Sequence, residues 1–264
     1  MVEANSVRGD RENAANVKDP LGFWAFGKLA RHVREYGLGE TTQLIRKNIA
    51  AGARRYLNWR FDRKFRVDTA GVVQLSELTC ESENKVHGVW YEPTPIKSLK
   101  CMFAPLPADL SDFTFVDYGS GKGRTLLYAS SYNFRRIVGV EFAKELHAVA
   151  ERNVQTYRNK AQKCRDITSV CMDAAQFPLP EGNCVLYFFH PFREEVMARV
   201  LYNIEQTFLR QPRRLIVLYY HPQVNSEIQK HPFLRKREER PMPFDLSGEP
   251  CPYRRRLEVY EAQF

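Results

Sequence analysis

The residues best placed to do chemistry stand where short apolar runs end. The stretch Val116-Asp117-Tyr118-Gly119-Ser120-Gly121-Lys122-Gly123-Arg124 is a strand-like run that enters Gly-x-Gly-x-Gly and then a helical pattern. Glycines in such a turn remove the Cβ atoms that would collide with a ligand drawn close to the backbone. Single positions exclude two phosphate-binding turns. A dinucleotide fingerprint needs Gly or Ala where Arg124 stands; a P-loop needs Gly in place of Val116 and Ser or Thr in place of Gly123. What remains is acidic-x-Gly-x-Gly-x-Gly beginning at Asp117, which suits a ligand carrying positive charge rather than phosphate.

Two more carboxylates follow at the ends of the next two apolar runs. Glu141 closes Ile137-Val138-Gly139-Val140-Glu141, where a carboxylate can take both hydroxyls of a ribose. Asp173 closes Ser169-Val170-Cys171-Met172-Asp173-Ala174, where it can accept from an adenine amino group while Met172 covers the ring and Ala174 continues the wall. S-adenosylmethionine carries an ammonium, a sulfonium, a ribose and an adenine and has no phosphate, so these acids match it. Residues 113–192 resemble the class I S-adenosylmethionine-dependent methyltransferases across their first four sequence motifs, and the likeness extends to about residue 222. The resemblance implies S-adenosyl-L-methionine as cofactor. Asp117, Gly119, Ser120 and Gly121 would lie at its methionine end, Glu141 at the ribose, and Met172, Asp173 and Ala174 at the adenine. The form Asp-x-Gly-Ser-Gly-Lys-Gly-Arg, with Gly-Val-Glu after it, is similar to a subgroup with small bacterial enzymes and some protein-lysine methyltransferases.

The reacting end is less regular. Amine-directed members of that class often carry Asn/Asp-Pro-Pro-aromatic after the fourth strand, and here the sequence reads Phe189-His190-Pro191-Phe192. An imidazole in the polar place can act as general base toward a hydroxyl or orient an amine, so His190 is the expected catalytic residue. The next run repeats the pattern as Tyr220-His221-Pro222, which puts His221 on the same rim if the two strands are adjacent. Trp90, Tyr91, Tyr118, Phe189, Phe192 and Tyr220 form an aromatic surplus for a lid and pocket. Of these, Tyr91 is expected at the reacting centre and Phe192 beside the acceptor, with His221 and Glu92 as further acceptor contacts.

The elements that must position these residues follow from periodicity. Five β-rich runs (113–118, 136–142, 167–172, 184–190, 214–220) alternate with helical stretches near 122–132, 144–161 and 193–210, the pattern of a parallel sheet covered on both faces. Two charged strand-like runs, Phe233–Arg240 and Arg254–Tyr260, predict a closing antiparallel hairpin. The expected fold is therefore α/β, Rossmann-like and doubly wound, with a mostly parallel seven-stranded sheet, a C-terminal antiparallel hairpin and an N-terminal helical extension. Residues 1–19 read as a disordered arm. Residues 20–111 read as a helical extension and active-site cover, with helices near 20–36 and 40–60 broken at Gly37 and Gly39 and irregular chain from 61 to 111. Residues 112–264 read as the methyltransferase domain that the resemblance implies.

Bulk properties narrow the partners. A chain of 264 residues with 44% hydrophobic content can bury a sizeable core, and its net charge is +9 with a pI near 9.3. Six cysteines without a C-x-x-C pair or a histidine at ligand spacing give no disulfide framework and no metal site, and Cys171 and Cys184 read as buried thiols. No apolar leader and no membrane-spanning run is visible, so a cytoplasmic enzyme is expected. The acceptor is expected to be a nitrogen or oxygen of a small molecule or a protein side chain. The basic helix at 40–66 leaves two alternatives: an RNA methyltransferase, with nucleic acid less favoured as partner, or a non-catalytic cofactor-binding or membrane-surface protein. No oligomeric state is legible.

Overall fold

The computed structural model describes residues 23–79, 90–242 and 255–263. The expected arm at 1–19 lies outside them, as do Cys80, Cys251 and most of the hairpin connection. The chain divides into two compact units, 1–49 and 50–264.

A long helix, α1 (Phe23–Phe65), runs through the first unit into the second. The break expected near Gly37 is a kink: Gly37 has φ 83° and ψ 167°, a conformation that excludes most side chains. Local hydrogen bonds complete it. Thr41 donates its hydroxyl to the Gly37 carbonyl at 2.8 Å and meets His32 Nδ1 at 3.0 Å.

In the second unit, seven strands form one sheet. They are β1 (Phe113–Tyr118), β2 (Arg136–Glu141), β3 (Ile167–Cys171), β4 (Asn183–Phe189), β5 (Leu215–Tyr220), β6 (Leu234–Pro241) and β7 (Arg256–Ala262). Their spatial order is β3-β2-β1-β4-β5-β7-β6. β1 to β5 are parallel, and β7 joins β5 and β6 antiparallel. This is the Rossmann-like doubly wound sheet expected from the sequence, finished by the expected hairpin. Five helices accompany it: α2 (Ile96–Phe103), α3 (Arg124–Ala129), α4 (Lys144–Thr156), α5 (Glu194–Arg210) and α6 (Asn225–Gln229).

Alternation along the central strands divides the core between the two faces. Val116, Tyr118, Leu186, Phe188, Val217 and Tyr219 pack with Val196, Val200, Leu201, Ile204 and Phe208 of α5. Phe115, Val185, Tyr187, Ile216, Leu218 and Tyr220 point the other way, toward Leu99, Met102 and Phe103 of α2 and Leu126 of α3. Tyr118 and Tyr220, counted in the sequence as lid or pocket aromatics, are therefore core side chains.

Three local expectations are corrected. The segment 61–111 is not irregular throughout, because α1 continues to Phe65 and α2 begins directly after Pro95. Helices expected over 122–132 and 144–161 are shorter, at Arg124–Ala129 and Lys144–Thr156. Cys171 is exposed rather than buried, because β3 is the outermost strand on its side of the sheet; Cys184, on central β4, is buried. No helix among the described residues is long and apolar enough to cross a membrane.

Candidate active site

A cleft of about 670 Å³, counting its open mouth, lies at the C-terminal ends of β1, β2 and β4. In an open α/β sheet this is the crevice where ligands bind, where the strand order reverses. Asp117, Gly119, Ser120, Glu141, His190 and Phe192 line it, and Tyr91 and Glu92 close it from the segment before α2. Met172, Asp173, Ala174 and His221 do not line this cleft. Asp173 starts a short 3-10 turn (Ala174–Gln176) and accepts from Ala175 N at 2.9 Å. That neighbourhood stays tied to the second strand, because Met172 N donates to the Glu141 carbonyl at 3.0 Å.

The two central acids are deeply buried, with Asp117 2% and Glu141 3% exposed. Glu141 accepts from Gly121 N at 2.8 Å with one oxygen and from Ala143 N at 2.9 Å with the other. Each oxygen keeps a lone pair for a further donor. Burial pushes its carboxyl up to about 7, against hydrogen bonds from the Ala143, Gly121 and Phe142 amides. Asp117 is raised well above the usual carboxylate range by burial and then by the Glu141 charge, with the Thr125 hydroxyl pulling it back. Neither acid forms an ion pair with a described residue, whereas Ser120 Oγ and His190 Nδ1 are buried without a hydrogen-bond partner. Two uncompensated carboxylates beside orphaned polar atoms make a donor set that fits a cationic ligand bearing hydroxyl groups.

A buried polar chain supports the first acid. Tyr187 stands opposite Asp117 in the β1–β4 register, its hydroxyl lies 3.0 Å from Thr94 Oγ1, and Thr94 Oγ1 lies 3.3 Å from Thr125 Oγ1. These three residues draw no attention in the sequence, since each is an ordinary core type and only the fold brings them together.

The turn glycines admit protein side chains. A Cβ on Gly119 would stand 2.6 Å from Pro191 Cβ, and one on Gly121 would overlap the Tyr91 ring. Tyr91 is held by paired backbone hydrogen bonds to Val73 and by its hydroxyl, which donates to the Thr69 carbonyl at 2.8 Å. Burial raises this phenol above its ordinary range, which disfavours the anionic form a base would need.

Arg124, read in the sequence only as the residue that rules out a dinucleotide, is a buried hub. It donates to Thr69 Oγ1 at 2.8 Å, to Asn58 Oδ1 at 2.7 Å and to the Thr94 carbonyl at 3.3 Å. Asp62 lies 3.9 Å from it and accepts from the backbone of Thr69 and Ala70. Asn153 of α4 adds bonds to Asp68 and to the Lys122 carbonyl. Asn58, Asp62, Thr69 and Thr94 are thus fastened to the glycine turn by side chains on three elements.

His190, on the cleft wall, and His221, outside it, follow β4 and β5, both at positive φ (40° and 53°), with ring centroids 6.3 Å apart. Burial, with a smaller push from His221, lowers the His190 imidazole to about 4, so it is neutral at physiological pH. His221 Nε2 meets Gln223 Nε2 at 2.9 Å. Glu92 is gripped by Arg255 at 2.8 and 3.0 Å and by Arg54 at 3.3 Å, and Arg255 lies over the Phe189 ring.

A family model described as a methyltransferase domain matches residues 116–206, about a third of the chain. No curated protein matches the sequence. Similar solved structures include the StiE O-MT segment 961–1257, at 13% identity over 64% of this chain and 75% of that one, with a TM-score of 0.47. Another is an RNA methyltransferase from Salinibacter ruber in complex with S-adenosyl-L-homocysteine, at 19% identity over 65% and 92%, TM-score 0.41. A third is the geranyl diphosphate C-methyltransferase of Streptomyces coelicolor A3(2), at 13% identity over 64% and 77%, TM-score 0.44. The family match begins at Val116 and spans the glycine turn, Glu141, Asp173 and His190, so residues 116–206 are similar to a methyltransferase domain.

Proposed function

We propose that the enzyme methylates a nitrogen or oxygen of a small molecule or a protein side chain, with His190 holding the proton-bearing acceptor atom. The observation that carries this reading is the buried, unpartnered Nδ1 of His190 on the wall of the cleft. A neutral imidazole there accepts a hydrogen bond from an O–H or N–H and leaves the acceptor's lone pair free to react.

S-adenosylmethionine supplies a methyl group activated by a sulfonium. Asp117, Ser120 and the Gly119–Gly121 backbone would hold its methionine end, Glu141 its ribose, and Met172, Asp173 and Ala174 its adenine. Tyr91 and the segment around it would serve as cover and exclude water, while Phe192 and Glu92 would border the acceptor and His221 would stand behind His190. The acceptor proton is held at His190 and leaves to solvent once the new bond has formed.

Incubating the protein with methyl-labelled cofactor and fractionated cell extract tests the acceptor class. Label in metabolites or protein is the expected result; label confined to RNA would overturn it. Titration calorimetry tests the cofactor contacts: Asp117→Asn should weaken S-adenosylmethionine at least tenfold, and unchanged affinity would remove Asp117 from the site.

A further inference from the structure

Helix α1 carries ten basic residues against three acidic ones, so seven of the chain's nine net positive charges belong to this one element. The part of α1 in the second unit has two sharply different sides. Advancing about 100° per residue, Arg54, Asn58, Phe61, Asp62 and Phe65 fall together. They meet Glu92, Arg124 and Tyr157, so this side is occupied. The opposite side is exposed. Its centre is aromatic, with Tyr56 56% and Trp59 51% exposed, their rings 6.0 Å apart and the Arg63 guanidinium 5.1 Å from the Trp59 ring. Arg55 flanks this centre on one side, and Arg60 and Lys64 flank it on the other. Arg55 and Arg60 enter no ion pair with a described residue.

The described part of the first unit shows the same composition by itself. Leu44, Ile45 and Ile49 are exposed beside exposed Arg46 and Lys47.

We propose that this face docks the enzyme on an anionic phospholipid surface. Trp and Tyr favour the headgroup region, and guanidinium and ammonium groups at the flanks meet lipid phosphates. In the first unit taken by itself, exposed Leu44, Ile45 and Ile49 favour lipid over nucleic acid. They gain by leaving water for the acyl boundary, whereas they neither stack on bases nor pair with phosphates. No helix among the described residues is long and apolar enough to cross a bilayer, so contact is made at its surface. The proposal is independent of the acceptor.

Full-length protein sedimented with vesicles tests it. Binding to phosphatidylcholine–phosphatidylglycerol vesicles, weakened by salt and absent on pure phosphatidylcholine, is expected. Arg55→Glu with Arg60→Glu should lower binding at least tenfold, and Tyr56→Ser with Trp59→Ser should lower it at every salt concentration. An unchanged thermal midpoint in both variants shows that the fold is kept. Three results would each overturn the proposal. They are equal partition onto neutral and anionic vesicles, retention of a single-stranded RNA homopolymer at physiological salt without vesicle binding, and a dimer in solution that the Trp59 variant dissociates.

Discussion

The Tyr91 ring lies across Gly121, filling the volume a Cβ at that position would take. The glycine also has φ 52°, so a side chain there meets both a steric and a backbone obstacle. Gly121→Ala is expected to cost about 2–3 kcal/mol in urea unfolding. Tyr91→Ala in the same chain should return roughly 1 kcal/mol of that loss. Strict additivity of the two substitutions would show that the ring does not press on the turn.

Glu141 gives the unliganded protein a signed pH dependence. Its folded carboxyl is raised from the ordinary 4.5 to about 7, so the folded state binds the proton more tightly than the unfolded one. The stabilisation is complete below about pH 4.5 and is lost as pH rises through about 7. Relative to Glu141→Gln, the wild type should lose up to roughly 3 kcal/mol between pH 5 and pH 8. A constant difference across that range would refute the buried charge. Cofactor affinity should rise over the same interval, since a cationic ligand requires the ionised pair.

His190 makes a different pH statement. With its imidazole lowered to about 4, kcat should show no inflection near 6.5, where an ordinary histidine titrates. His190→Ala should lower kcat about 100-fold and leave S-adenosylmethionine binding within about twofold. A fall in turnover centred on pH 6.5 that disappears in the variant would reassign the histidine as a conventional base.

Glu92 anchors the cover to the start of β7 through Arg255. Glu92→Ala removes the carboxylate that grips a largely buried guanidinium and should cost about 2–3 kcal/mol, less than a fully buried pair because Glu92 is partly solvated. Arg54→Ala removes the more exposed partner and should cost under about 1 kcal/mol. Chemical denaturation of the two variants separates them; equal losses would show that Arg255 does not carry the contact.

The sheet was legible because β1, β4 and β5 are buried along almost their whole length and therefore read as continuous apolar runs. The turn was legible because its chemistry is local, with Asp117, Gly119 and Gly121 within five residues. Long-range matters were not. Arg124 finds its partners 55 and 66 residues back in the chain, and neither Asn58 nor Thr69 signals that role. Thr94, Thr125 and Tyr187 become a polar chain only after three segments converge. Cys171 misled because an apolar run does not reveal whether its strand is central or at an edge. Helix α2 was masked by Pro93 and Pro95, which break the pattern just before it starts.

The contact between Gly119 and Pro191 has a consequence for how such an enzyme can change. It joins the loop that would grip the methyl donor to the loop that would present the acceptor, and both loops leave strands paired residue for residue. On that reading, the separation of the two reactants would be set inside the sheet rather than by the cover. An exposed rim residue such as Trp90 is where a change of acceptor would leave the path of the methyl group alone.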